Sequence, residues 1–191
     1  MALIEVHELT KVFPNPDGSE KTAVDHISFK VHAGAIYGLL GPNGAGKTTA
    51  LRMISGLLSA TSGSVIMDGH NVTNRPEAAK SRIGYLTANT GLYARLTTRE
   101  VLRYFGVLYN LPHDRIRART AELTEWLGMG EFLDLRCGAL STGQRQRANI
   151  ARAMIADPPI LIMDEPTLGL DVMSNRVILG LIESQKKAGK A

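Results

Sequence analysis

Apolar and polar positions alternate through the first thirty residues. Leu3–Phe13 places Ile, Val and Leu at every second or third position, which predicts a strand. Asn15–Glu20 (NPDGSE) has the composition of a turn. Alternation resumes over Ala23–Val31, predicting a second strand. Ala35–Leu40 is a short apolar run ahead of a glycine-rich loop, the pattern of a buried strand. From Thr48 to Leu58 the spacing becomes helical, with Leu51, Ile54, Leu57 and Leu58 on one side.

Ser64–Met67 and Arg82–Leu86 read as further strands. Between Thr98 and Leu127 the period is helical again. Val101, Leu102, Phe105 and Leu108 make one stripe, and Ile116, Leu123, Trp126 and Leu127 another. Both are most simply core-facing helix surfaces. A helix over Gly143–Ala156 is stopped by Pro158 and Pro159. Ile160–Met163 is a buried strand, and Val172–Lys187 a helix. Strand and helix alternate at both ends while the middle is mostly helical. The expected class is therefore α/β, with a helical insertion in the core.

Composition narrows the picture. The chain has 191 residues, 44% of them hydrophobic and 21% charged, values of a globular protein with one good core. No run approaches the roughly 20 apolar residues that span a bilayer, and the first residues lack the pattern of a secretory signal. Any membrane link is expected to come through a partner. Cys137 is the only cysteine, which rules out a disulfide within the chain and fits a reducing compartment. It reads as a small buried residue, not a nucleophile. The net charge is +4, with arginines concentrated at Arg115, Arg117 and Arg119 and at Arg145, Arg147 and Arg152. Without interleaved aromatics these read as solvated helix faces, and no nucleic-acid partner is expected.

The chemistry lies in two segments. Gly41–Thr48 reads GPNGAGKT, a full match to the G-x-x-x-x-G-K-[ST] phosphate loop. Gly41, Gly44 and Gly46 permit backbone angles closed to other residues. The loop amides, those of Gly41, Asn43, Gly44, Ala45 and Gly46 around Pro42, then form a nest for phosphate oxygens, reinforced by the N-terminus of the next helix. Asn43 completes the loop. Lys47 reaches the β- and γ-phosphates, the Thr48 hydroxyl ligates Mg²⁺, and Thr49 supports the α-phosphate. The ligand expected is ATP with Mg²⁺. The second segment, Ile160–Pro166 (ILIMDEP), is an apolar strand ending in two carboxylates. Asp164 fits the magnesium-holding carboxylate of such proteins, and Glu165 fits the group that activates the attacking water.

Leu140–Arg147 (LSTGQRQR) resembles the LSGGQ signature of ABC transporter ATP-binding subunits, and Glu165–Asp171 (EPTLGLD) resembles their D-loop. The resemblance covers essentially the whole chain. It implies a P-loop NTPase core with a mixed sheet, N-terminal antiparallel strands and a helical subdomain. On that pattern about 1–87 and 158–191 form the ATPase core and about 88–157 the helical signature part of a single domain. Ser141 with Gln144 three residues on is also a capping-box pattern. It places a helix N-terminus at Ser141, Thr142 and Gly143, and such an end suits a phosphate. In the family that phosphate belongs to ATP held by an opposing subunit. The resemblance thus implies a second ATPase subunit, identical or not, and a membrane permease driven by ATP hydrolysis. It implies a cytoplasmic location, peripheral on the inner face of the cell membrane. Phe13 sits where the family stacks an aromatic on adenine; a core strand residue is the alternative. Thr90–Glu100 (TGLYARLTTRE) and EPTLGLDV look like the sodium-export or multidrug-export branch.

Two departures qualify the match. The family's Q-loop glutamine falls at Ala88, which cannot ligate a metal. The family also carries a switch histidine on a strand after the last helix, and His7, His26, His32, His70 and His113 all precede Glu165. The chain is therefore expected to be C-terminally incomplete, binding ATP but turning it over poorly. A non-transport ABC ATPase acting on nucleic acid or ribosomes, or an ATP-sensing module with little turnover, are the alternative readings.

Overall fold

The computed structural model describes residues 2–74, 76–87 and 91–191. Contacts group these into two compact units, residues 1–83 with Ala188–Ala191, and Gly84–Lys187.

The first unit is built on a four-stranded antiparallel sheet of order β2-β1-β3-β4: β1 Ala2–Pro14, β2 Glu20–His32, β3 Ser62–Met67 and β4 His70–Asn71. The alternation predicted for both long strands is present, and Ile4, Val6, Leu9, Val24 and Val31 are buried. Glu8 breaks it with φ +45°, where the β1 register shifts against both neighbours. The facing residue on β3 is Gly63, whose backbone comes so close that an added Cβ would lie 2.3 Å from the Glu8 carbonyl oxygen. Only glycine admits that approach.

Helix α1 (Lys47–Ile54) buries Ala50, Met53 and Ile54. It ends four residues before the predicted Leu58. The amides of Leu57 and Leu58 both turn back to the Arg52 carbonyl, and Gly56 takes φ +70°. This C-terminal turn leaves Leu57 exposed, outside the predicted stripe. The short helix α2 spans Pro76–Lys80.

Ala35–Leu40 departs from expectation. It joins no ladder among the described residues, and Ile36, Tyr37 and Leu40 are exposed, Leu40 at 93%. Tyr37 instead stacks on Phe29 of β2, with centroids 4.5 Å apart. An apolar run specifies burial, but a strand also needs a neighbouring backbone to complete its hydrogen bonds.

The second unit pairs β5 (Ile83–Leu86) with β6 (Ile160–Met163) and surrounds them with α3 (Thr98–Leu108), α4 (His113–Trp126), α5 (Thr142–Met154) and α6 (Val172–Lys187). Its core gathers Leu86, Leu102, Leu123, Leu127, Phe132, Ile150, Met154, Ile178 and Leu181. Leu108 and Trp126, assigned to the inner stripes, are exposed because each falls at the last residue of its helix, beyond the packed turns. Cys137 is buried in this core, and burial raises its thiol pKa, as suits an inert packing residue.

The arginines do not all lie on solvated faces. Arg115, Arg117 and Arg145 are exposed, but Arg119 is 3% exposed and sits on the inner side of α4. Arg147 and Arg152 are half-buried, their guanidinium groups over the rings of Phe132 and Phe105 at 5.0 Å each. Guanidinium groups enter these interfaces because ring faces and helix-end carbonyls receive them.

Candidate functional site

On the first unit, Gly41–Gly46 runs as an irregular loop into α1. Gly44 and Gly46 take φ +82° and +83°, both in the left-handed region, whereas Gly41 does not. At Gly41 a Cβ would sit 3.2 Å from the Ala45 Cβ, a tight contact that the loop would have to ease by a few tenths of an ångström. At Gly46 an added Cβ would lie 2.0 Å from the Ala23 carbonyl oxygen of β2, so the loop is pressed onto the sheet. Gly46 is also the N-cap of α1 and brings no side chain to satisfy the helix amides. The first turn of a helix has N–H groups without intrahelical partners, so this end suits an anion.

Lys47 bends back over the loop, its Nζ donating to the carbonyls of Gly41 at 2.7 Å and Pro42 at 2.8 Å. The cation is thereby held above the loop whose amides would take the phosphates. Pro42, Asn43, Gly44, Ala45 and Thr48 are exposed, and Thr49 is half-buried. Phe13 is 36% exposed near the end of β1, with Lys11 Nζ 5.1 Å above one ring face. It is not a core residue.

On the second unit, β6 carries Asp164 and Glu165 at its end. Asp164 is 8% exposed, and its amide donates to the Leu86 carbonyl at the end of β5. Glu165 is exposed and takes φ +52° ahead of Pro166. Holding a non-glycine residue there costs on the order of 1–2 kcal/mol, so the surroundings must hold it in place. The Leu168 amide closes the turn on the Glu165 carbonyl at 3.2 Å.

Ser141, Thr142, Gly143 and Gln144 form the tip of α5. The predicted capping box is present. Ser141 Oγ accepts from the Gln144 amide at 3.2 Å, and Gln144 Oε1 accepts from the Ser141 amide at 2.9 Å. Ser141 and Thr142 are exposed, so the tip presents its positive end outward. Gly143 rests on the N-cap of α6, where a Cβ would lie 2.7 Å from Ser174 Oγ. There Asp171 accepts from the Ser174 amide and hydroxyl, both at 2.8 Å, and these bonds hold its carboxyl below the usual aspartate range. Gln146, which motif reading passed over, donates from Nε2 to the Pro166 carbonyl at 2.8 Å. The register of α5 could have signalled it: Gln146 lies one turn beyond Gly143, on the same side of the helix.

Among the described residues no cluster of three or more His, Cys, Asp or Glu side chains would hold a metal by itself. Mg²⁺ does not need one, because it usually binds through one or two carboxylates together with water and substrate phosphates. Asp164, a buried carboxylate, fits that demand on the second unit. Ala88, where the Q-loop glutamine was expected, lies outside the described residues, as do Asn89 and Thr90. No helix among the described residues is long and apolar enough to cross a membrane.

A family model described as ABC transporter matches residues 24–168. The chain is 44% identical over 169 residues to the ABC transporter ATP-binding protein NatA of Bacillus subtilis (strain 168), covering 88% of this chain and 69% of the relative. It is 39% identical to the linearmycin resistance ATP-binding protein LnrL of the same organism, covering 89% and 55%. It is 38% identical to the Nod factor export ATP-binding protein I of Paraburkholderia xenovorans (strain LB400), covering 99% and 60%. The chain thus spans between 55% and 69% of the length of these relatives. Among solved structures, the ATP-binding subunit of an ABC transporter superposes with a TM-score of 0.87 at 29% identity, covering 98% of this chain and 76% of that one. A dimeric ATP-binding cassette in a post-hydrolysis state, bound to ADP and Pi, gives 0.87 at 26% identity, covering 98% and 84%.

Proposed function

The chain belongs to the ABC transporter family, and on that premise we propose that it binds and hydrolyses ATP to power transport, as export, through a partner permease. The observation that carries this reading is the phosphate loop: two left-handed glycines, a lysine folded over the loop, and a helix whose N-cap has no side chain.

In this proposal the loop amides and Lys47 bind the triphosphate, Thr49 supports the α-phosphate, and Phe13 offers a ring face to adenine. Thr48 and Asp164 are the residues that would hold Mg²⁺. When bound, Mg²⁺ would neutralise charge on the phosphate oxygens. Glu165 orients and deprotonates the attacking water. A carboxylate suits this task when it is close enough to bond the water and the site keeps bulk solvent out. Ser141, Thr142, Gly143 and Gln144 present a helix end to the nucleotide of a second ATPase subunit. A permease couples the pair to the membrane, placing the chain on its cytoplasmic face. The relative named for Nod factor export supports the export direction.

The experiment measures magnesium-dependent ATP affinity and phosphate release for wild type, Lys47→Ala and Glu165→Gln. Lys47→Ala should lose affinity. Glu165→Gln should keep affinity and lose turnover by about a hundredfold or more. A folded wild-type chain without magnesium-dependent ATP affinity would overturn the proposal.

A further inference from the structure

Helix α5 touches the loop that follows β6 at two points. Its tip glycine, Gly143, lies against the Asp171–Ser174 cap of α6. One turn further on, Gln146 donates to the carbonyl of Pro166. The segment between these contacts is 166–171, and Glu165 stands immediately before it. Glu165 holds φ +52°, a backbone state a glutamate does not keep without restraint. Within the turn the restraints are weak: Leu168 N to Glu165 O at 3.2 Å and Leu170 N to Thr167 O at 3.3 Å. The bond from Gln146 at 2.8 Å is shorter than either and comes from a rigid helix.

We infer that Gln146 is a positioning residue for Glu165. Its amide fixes the carbonyl of the peptide that follows Pro166; the proline ring locks φ there and the Glu165–Pro166 peptide is planar, so Pro166 ψ is the one soft torsion between that carbonyl and the Glu165 backbone. The same helix begins at the Ser141–Gly143 tip. Movement of that tip is therefore carried to the Glu165 turn of the same chain by about one helical turn of rigid backbone. The inference rests on the ATPase reading for what Glu165 does, but the tie itself is a property of the fold.

The test compares wild type with Gln146→Glu and Gln146→Lys. Gln146→Glu keeps the shape, removes the donor and sets a carboxylate against a carbonyl. Gln146→Lys keeps a donor of similar reach. Amide hydrogen exchange across 167–171 is measured without nucleotide, and kcat and KM for ATP are measured with magnesium. Gln146→Glu should speed exchange in that segment about tenfold and lower kcat about tenfold, with KM within about twofold of wild type. Gln146→Lys should stay within about threefold of wild type in both. Unchanged exchange in Gln146→Glu overturns the inference, as does faster exchange with kcat unaltered. Equal loss in both variants also overturns it, since that marks packing and not hydrogen bonding. A wild-type chain that releases no phosphate defeats the ATPase reading instead, and the exchange data then decide alone whether Gln146 holds the turn.

Discussion

The guanidinium of Arg119, inside α4, donates from Nη2 to the main-chain carbonyl of Met154 at 3.0 Å, at the last residue of α5. A carbonyl at a helix C-terminus has no donor from a following turn of the helix, and here the Asp157 amide at 2.9 Å and a side chain from the neighbouring helix both supply one. The reverse contact also exists: Arg147 of α5 donates to the carbonyls of Leu127 and Gly128, just past α4, at 3.1 and 3.0 Å. Each helix therefore finishes the end of the other.

Arg119→Ala should destabilise the protein by about 1–3 kcal/mol, because it removes a buried charge-assisted hydrogen bond and empties a packed site, while the Met154 carbonyl keeps the Asp157 amide. Glu122 and Asp157 also lose a partner, at 2.5 and 3.2 Å, but both are partly exposed and rehydrate. Urea denaturation measures the loss. A shift below about half a kcal/mol would show that the guanidinium contributes little to the junction of α4 and α5.

Gly46→Ala should be far more damaging than Gly69→Ala. Both glycines have φ near +80°, but an added Cβ has open space at Gly69 and lies 2.0 Å from the Ala23 carbonyl at Gly46. Gly69→Ala should cost only the left-handed backbone term, about 1–2 kcal/mol. Gly46→Ala should exceed that and lose ATP affinity as the loop lifts. Thermal melts beside nucleotide titration separate the two; equal melting shifts would refute the close packing.

Ser141→Ala and Ser141→Asp should divide two roles of one residue. Alanine removes the N-cap and should cost about 1 kcal/mol. Aspartate keeps the cap, so stability should hold. Its negative charge at the tip should repel a phosphate, so the proposed turnover should fall in Ser141→Asp although its cap is intact. Denaturation midpoints and phosphate release check this, and full activity in Ser141→Asp would argue against phosphate contact at the tip.

Acid should weaken the α6 cap. The Ser174 amide, then its hydroxyl, favour the ionised Asp171, so its folded pKa lies below the unfolded value. Its contribution is fully present above about pH 3.9 and is lost as pH falls through the depressed value. Asp171→Asn can still cap but cannot titrate. Stability curves between about pH 6 and pH 2 should therefore be shallower on the acid side for that variant. Parallel curves would show that the cap does not depend on the charge.

Much of the architecture was legible along the chain because local rules wrote it. The capping box at Ser141 and Gln144 needs four consecutive residues and nothing else, and α6 runs over Val172–Lys187 as its period predicts. The left-handed angles at Gly44 and Gly46 likewise belong to the loop's own glycines. Gln146 and Arg119 were not legible. A polar residue on a helix is ordinary in sequence, and its meaning depends on which carbonyl another segment brings within 3 Å.

The order of residues by itself determined the two long N-terminal strands and the helices α5 and α6, which loop has the freedom to wrap a phosphate, and which helix tip is capped. Each of these is decided within a few bonds, by backbone sterics and nearest-neighbour hydrogen bonding. Tertiary structure alone decided that Arg119 is buried, that Leu57 and Trp126 are not, that Ala35–Leu40 lacks a ladder, and that Pro166 answers to Gln146. Burial and long-range hydrogen bonds are properties of two segments at once, and no single stretch of chain carries the coordinates of its partner.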